Sequence, residues 1–240
     1  LWTDRDGANP AIDLRNLLND LDLLGARIGV EYDTHGLTAY NGRRLDEQLQ
    51  TFGQIADASG IVSRLRLFKS PAEIAKVEKA GRRKLSKNDQ VTLEWAGVFH
   101  HYHAAMMRTV LTGKVSKRHQ ELFDAARAAL LAVEKAMTPG NTFGDVFEAH
   151  ARTLEAHNLT KHRLNACGYS LGARFTPSWM DMPMFYQGNP EPIAPNMTLF
   201  AHMIIMDSET ETAMTLGRTY LTTESQPKPL SRHDLDLIVQ

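Results

Sequence analysis

One glutamate stands in an otherwise apolar stretch of the sequence. Glu94 lies between Leu93 and Trp95 in the run from Val91 to Gly97, which has the composition of a β-strand. Burying a carboxylate without a partner is unfavourable, so strands seldom keep one facing the core. We therefore interpret Glu94 as a functional carboxylate. The alternative is a glutamate on an edge strand that faces water.

Histidines and arginines supply further reactive groups. His100 and His101 lack nearby Cys or Asp partners, so we expect them on a solvated hairpin rather than in a metal site. His202 stands among apolar residues, where a hydrogen-bonded core histidine is the default interpretation. Arg108 and Arg218 could each bind a carboxylate through two parallel hydrogen bonds, and a structural salt bridge is the alternative for both.

Composition restricts the function classes. The chain has 240 residues, of which 42% are hydrophobic, so it is long enough for one large domain. Its formal net charge is -1, so it lacks the basic excess of a protein that binds nucleic acid or an anionic membrane. Its single cysteine, Cys167, excludes a disulfide within the chain and favours a reducing, cytoplasmic location. No apolar run approaches the length of a membrane span.

The elements that position these residues follow from periodicity and capping signals. Strand and helix patterns alternate up to about residue 63, which is typical of an α/β domain. Ser70, Pro71 and Glu73 predict the start of a helix, because they match an N-cap, a first-turn proline and a capping box. The sequence then predicts a β-hairpin of residues 91–97 and 102–111. Two helices follow at residues 118–137 and 142–158, and then an antiparallel strand pair at residues 198–206 and 211–222.

Five motifs in this order resemble the catalytic domain of the pita-bread superfamily, which holds methionine and proline aminopeptidases, prolidase, creatinase and ectoine hydrolase. They are Lys69–Ile74, the strand around Glu94, Tyr102–His103 with Arg108–Thr109, Pro139–Thr142 and Gly168–Gly172. The resemblance implies an α+β pita-bread catalytic domain at residues 64–240, preceded by a partial α/β creatinase-type N-terminal domain at residues 1–63. It also implies that a family segment is missing near residues 80–84.

The same resemblance bears on metals. Metal-dependent members hold two ions with two Asp, one His and two Glu. The matching positions here are occupied by Glu94, Ala105, Tyr169, His202 and, approximately, Gly217. Since one carboxylate cannot bridge two ions, we expect no family metal site and no cofactor.

Within the superfamily, the closest resemblance is to metal-free creatinase and ectoine hydrolase, through Glu94–Gly97, Tyr102–His103, Gly168–Gly172 and Pro177–Trp179. It implies hydrolysis of an amidine, amide or amidino C–N bond in a small zwitterionic molecule, with Glu94 attacking the amidine carbon. The implied catalytic residues are Glu94, His103 and His202, and the implied substrate contacts are Tyr102, Arg108, Tyr169, Trp179 and Arg218.

Two other functions stay open. One is an aminopeptidase- or prolidase-like metalloenzyme with altered ligands, and the other is a pita-bread module that binds without catalysis. The resemblance to creatinase further implies a homodimer acting on a small-molecule substrate, with no nucleic-acid or membrane partner.

Overall fold

The computed structural model describes residues 7–34, 36–82, 84–175 and 178–240. These residues form two compact units, which divide after Lys84. Arg83, in the region where a family segment is expected to be missing, and Pro177, in one of the motifs, lie outside the described residues.

The first unit alternates helices with short strands, in agreement with the α/β pattern of the sequence. Its two strands pair in parallel, with Arg27 opposite Gln54, and a helix connects them. The elements are α1 (Pro10–Asp20), β1 (Arg27–Val30), α2 (Ala39–Leu49), β2 (Gln54–Asp57), α3 (Ile61–Leu67) and α4 (Pro71–Arg82).

Helix α4 begins where the capping signals predict. The backbone N–H and the hydroxyl of Ser70 both donate to Glu73 Oε2, at 2.8 and 2.6 Å, and the Glu73 N–H donates to Ser70 Oγ at 3.4 Å. These reciprocal bonds satisfy N–H groups that a helix start otherwise leaves free. The predicted capping box is therefore confirmed.

The second unit is built on an eight-stranded sheet with the order β10-β4-β8-β7-β5-β6, in which β3 also pairs with β4 and β9 with β8. All of the pairs are antiparallel except β10 with β4. The elements are β3 (Gln90–Phe99), β4 (Tyr102–Leu111), α5 (Lys117–Ala136), α6 (Phe143–Ala156), a 3-10 turn (Thr160–His162), β5 (Ala166–Ser170), β6 (Asp181–Tyr186), β7 (Thr198–Asp207), β8 (Thr212–Leu221), β9 (Lys228–Pro229) and β10 (Ile238–Val239).

The two faces of this sheet are packed differently. Helices α5 and α6 cover one face, where Leu130 and Val133 of α5 join Ala201 and Leu216 of the sheet in the larger core. The other face carries a smaller apolar cluster that includes Met107. No helix among the described residues has the length and apolar character to cross a bilayer.

The β3–β4 hairpin closes through a two-residue turn. Phe99 pairs with Tyr102, and His100 and His101 between them have positive φ angles of 47° and 65°. Two such residues give a turn whose twist matches that of the strands. Both histidines are exposed, as expected for a solvated hairpin.

Candidate active site

Glu94 and His202 lie in one row of paired residues that crosses four strands. Glu94 pairs with Met107, Met107 with Gly217, and Gly217 with His202. Directly paired residues of antiparallel strands project from the same face, so these two predicted catalytic residues share the face opposite the helices. Three strand intervals separate their Cα atoms by roughly 14 Å.

Glu94 has no cationic partner in the part of the chain that the structure describes. It makes no hydrogen bond or ion pair with any described residue and remains accessible to solvent. Its neighbours nevertheless remove part of its hydration, and this desolvation raises its pKa above the ordinary value of 4.5. The row therefore contains a carboxylate whose negative charge is not compensated.

Tyr169 lies within electrostatic range of this carboxylate, and Trp179 is hydrogen-bonded to Tyr169. The indole N–H of Trp179 donates to Tyr169 Oη at 3.0 Å. Burial raises the pKa of Tyr169 to about 12; the Trp179 hydrogen bond opposes this rise and the charge of Glu94 adds to it. Tyr169 is thus a neutral phenol within electrostatic range of Glu94, and its oxygen is held by Trp179.

His202 is a buried, neutral imidazole. Its ring centroid lies 5.6 Å from those of both Tyr169 and Phe200. Desolvation lowers the pKa of His202 to about 4, and its Nδ1 is buried without a hydrogen-bond partner. Such a group accepts a proton poorly at neutral pH and is suited to donate or accept a hydrogen bond instead.

His103 lies on the same face but further along β4. It is four residues from Met107, which corresponds to about 13 Å along the strand. Its Nδ1 is 3.4 Å from the carbonyl oxygen of Gly172, two residues after the end of β5. The structure therefore places His103 on the Glu94 face, at a distance from the Glu94 row.

Three of the residues expected to contact substrate project from the other face. Arg108 pairs with Leu216 and Arg218 with Ala201, and both of those partners belong to the helix-covered core. Tyr102 follows the same alternation as Arg108 and is exposed at the end of the hairpin. The sheet thus separates these three side chains from Glu94. Of the expected contacts, Tyr169 interacts with Glu94, and Trp179 is joined to it through Tyr169.

The positions that hold metal in the resembling family do not form a metal site here. Among the described residues, no group of three or more His, Cys, Asp or Glu side chains is arranged to hold an ion. Ala105 offers no donor, and the space beside Gly217 is filled, since a Cβ there would lie 2.6 Å from Phe200 Cζ. Glu94 and His202 alone do not fit a dinuclear centre.

Two apolar residues that the motifs did not indicate shape this site. Met107 occupies the row next to Glu94, and Phe200 packs over Gly217 and against Tyr169, with ring centroids 5.4 Å apart. Strand alternation from His202 could have placed Phe200 on this face. The contact with Gly217 depends on the pairing of β7 with β8. The resulting surface, a lone carboxylate beside aromatic rings, suits a small organic cation.

Comparisons with known proteins agree with this architecture. An uncharacterized hydrolase/peptidase of Sinorhizobium fredii is 31% identical over 151 residues, which cover 62% of this chain and 37% of that protein. An ectoine hydrolase of Halomonas elongata is 31% identical over 109 residues, covering 44% of this chain and 26% of that protein. The chain therefore spans less than half of the length of either relative.

The fold also matches solved structures. The Xaa-Pro dipeptidase from Bacillus anthracis superimposes with a TM-score of 0.62 at 14% identity, covering 98% of this chain and 79% of that chain. Likeness at this identity shows the fold alone, and the predicted α+β pita-bread fold is confirmed. The profile of the metallopeptidase family M24 matches residues 68–224, and the chain belongs to that family.

Proposed function

We propose that this protein hydrolyses a C–N bond of an amidine, amide or amidino group in a small cationic or zwitterionic molecule, without a metal ion. Glu94 acts as the nucleophile, and Tyr169 with Trp179 forms one wall of the binding site.

The uncompensated charge of Glu94 carries the proposal. A desolvated carboxylate without a cationic neighbour is a binding site for a cation, because the ligand supplies the missing opposite charge. Amidinium groups are planar, cationic and electrophilic at carbon. The aromatic ring of Tyr169, which interacts with Glu94, and the ring of Trp179 bonded to it offer a further favourable contact to such a cation.

The proposed reaction proceeds in two steps. A carboxylate oxygen of Glu94 forms a bond to the amidine carbon, and the C–N bond then breaks as the departing nitrogen takes up a proton. Water next adds to the same carbon, the bond to the Glu94 oxygen breaks, and the carboxylate is restored. His103, further along β4, is the proposed proton-transfer residue: through bridging water it gives a proton to the departing nitrogen in the first step and takes one from the attacking water in the second. His202, in the row of Glu94, stays neutral and is proposed to orient the reacting groups by hydrogen bonding.

Peptide hydrolysis at an altered metal site is the second candidate. It is favoured by the name of the family and by the relative described as a hydrolase/peptidase. The donor set on the Glu94 face weighs against it, since Glu94 is the only carboxylate at the five positions compared. Release of a free amino acid from dipeptides, dependent on added Mn or Co, would identify this activity.

Amine release from a panel of small amidines tests the proposal. We expect turnover by the native protein, and we expect Glu94→Gln to lower kcat/KM by at least about 100-fold. The matched control is Glu224→Gln, at an exposed glutamate in the segment after β8, which should retain native activity. Retention of activity in Glu94→Gln within about tenfold, or roughly 1.4 kcal/mol, would refute the role of Glu94.

A further inference from the structure

Strand β3 lies at one edge of the large sheet and is almost fully exposed. It pairs along its whole length with β4, from Gln90 opposite Leu111 to Phe99 opposite Tyr102, and with no other strand of the described residues. Eight of its ten residues are exposed, including Trp95 at 43% and Phe99 at 77%. A long, regular and apolar edge of this kind is prone to pair with another chain.

The hairpin determines which backbone groups of β3 are free. Its two-residue turn makes Phe99 and Tyr102 a hydrogen-bonded pair, and such pairs alternate along an antiparallel ladder. The carbonyl oxygen of Ala105 agrees with this alternation, since it accepts from Thr219 Oγ1 on the side of β4 away from β3. Even-numbered residues of β3 therefore direct their N–H and C=O groups away from β4, at Thr92, Glu94, Ala96 and Val98. No described residue bonds to these backbone groups.

The two edges of the sheet differ in how they are protected. The opposite edge, β6, is six residues long, contains Asp181 and Pro183, and pairs with β5 in an irregular register. Short length, proline, charge and irregularity all hinder pairing at a sheet edge. Strand β3 contains neither proline nor lysine, and its register with β4 is uninterrupted. Another chain can therefore pair at β3, and pairing would not continue through β6.

We propose that β3 pairs with β3 of a second copy of this chain, antiparallel about a two-fold axis, so that the two large sheets become continuous. This contact uses the same strand on both copies and closes after two chains. It provides hydrogen-bond partners for the backbone groups on the free side of β3 and buries its apolar side chains. The homodimer implied by the family resemblance thereby has its interface at β3.

The charge of Glu94 restricts the register between the two copies. If the two-fold axis passes through Glu94 or Trp95, the two Glu94 carboxylates lie directly opposite or diagonal to each other, where like charges repel. If the axis passes through Ala96, Glu94 faces Val98 of the second copy, and the two carboxylates are separated by about 13 Å along the strands. In this register Leu93 also faces Phe99 of the second copy. The axis is therefore placed at Ala96.

The surface available at β3 is sufficient for a dimer. The exposed large apolar side chains of this strand are Leu93, Trp95, Val98 and Phe99. They present roughly 400 Å² on each copy, since one aromatic side chain alone offers about 150–250 Å². Together with the strand backbone, the two copies bury on the order of 1,000 Å² in total, which is the size that a specific interface needs. About six backbone hydrogen bonds, between residues 94 and 98 of the two copies, fix the register.

Size-exclusion chromatography with light scattering tests the interface. We expect the native chain, at micromolar concentration, to have twice the 26.9 kDa mass of one copy. Ala96→Pro removes an N–H group that points away from β4, so it blocks pairing between copies while the bonds to β4 remain. This variant should be a monomer. Met182→Lys, which places a charge at an exposed residue of the opposite edge, is the control and should remain a dimer.

Cysteine cross-linking tests the register. With the axis at Ala96, the two Cα atoms of residue 96 are about 5.5 Å apart, within reach of a disulfide. Mild oxidation of Ala96→Cys should therefore give a covalent dimer on a non-reducing gel. Thr92→Cys is the matched control on the same edge, and it should not cross-link because the two copies of residue 92 are about 27 Å apart. The native chain, whose single Cys167 is buried, is the reference.

Three outcomes would overturn the proposal. A monomeric native chain would leave the edge to another occupant, such as an extended peptide. A dimer that Ala96→Pro does not dissociate would use another surface. If Ala96→Pro does not fold, the cross-link decides the question. Equal cross-linking in Ala96→Cys and Thr92→Cys, or none in either variant, would refute pairing of β3 in this register.

Discussion

The packing of Phe200 over Gly217 gives a quantitative prediction. In Gly217→Ala, the new Cβ would lie 2.6 and 2.9 Å from Phe200 Cζ and Cε2, and 3.0 Å from Met107 Cβ. Phe200 is fully buried, so its ring cannot move aside without displacing its neighbours. Overpacking of this kind costs about 1–3 kcal/mol. We therefore expect the free energy of unfolding to fall by about 2 kcal/mol, or roughly 4–8 °C in Tm for a chain of this size.

Urea unfolding followed by tryptophan fluorescence measures this loss. Gly97→Ala is the matched control, because a Cβ at Gly97 meets nothing within 4 Å, and its stability should change by less than about 0.5 kcal/mol. Phe200→Leu removes the two ring atoms that approach the new Cβ. The double variant should therefore lose less than the sum of the single variants, by about 1 kcal/mol. Equal stabilities of Gly217→Ala and Gly97→Ala would refute the packing described here.

Three further predictions concern pH, capping and metals. Burial raises the pKa of Asp207, but hydrogen bonds from Arg118 and Thr210 outweigh this and lower it to about 2. Because that value lies below the unfolded pKa of about 3.9, ionised Asp207 stabilises the folded protein fully above about pH 4, and this stabilisation is lost as the pH falls through about 2. In Asp207→Asn, the urea concentration at the unfolding midpoint should therefore change less with pH over this range. Ser70→Ala should destabilise the first unit by about 1 kcal/mol and Ser70→Gly by only a few tenths, as measured by circular dichroism. EDTA should leave activity unchanged, and a loss of about tenfold that Mn restores would contradict the metal-free proposal.

Local signals in the sequence predicted much of the fold. The capping box at Ser70 and Glu73, the hairpin through His100 and His101, and the paired strands β7 and β8 all arise from interactions between residues close in sequence. The short strands β9 and β10 were not predicted, because two-residue elements carry no periodic pattern.

The arrangement of the site was less accessible. Strand alternation already separates Tyr102 and Arg108 from His103, since residues an odd number of positions apart project from opposite faces. The family resemblance alone places all three residues in one site, and strand alternation divides them between the two faces of the sheet. The filling of the Gly217 position by Phe200 was not predictable in the same way, because it depends on the register between distant strands.

Trapping of the covalent adduct tests the central claim most directly. The native protein would be quenched during turnover of an amidine substrate and digested, and the peptide containing Glu94 would be analysed by mass spectrometry. We predict that the mass of the acyl or imidoyl fragment is added to Glu94, that Glu224→Gln shows the same adduct, and that Glu94→Gln shows none. Turnover without any added mass on that peptide, together with native rates in Glu94→Gln, would contradict the proposed mechanism.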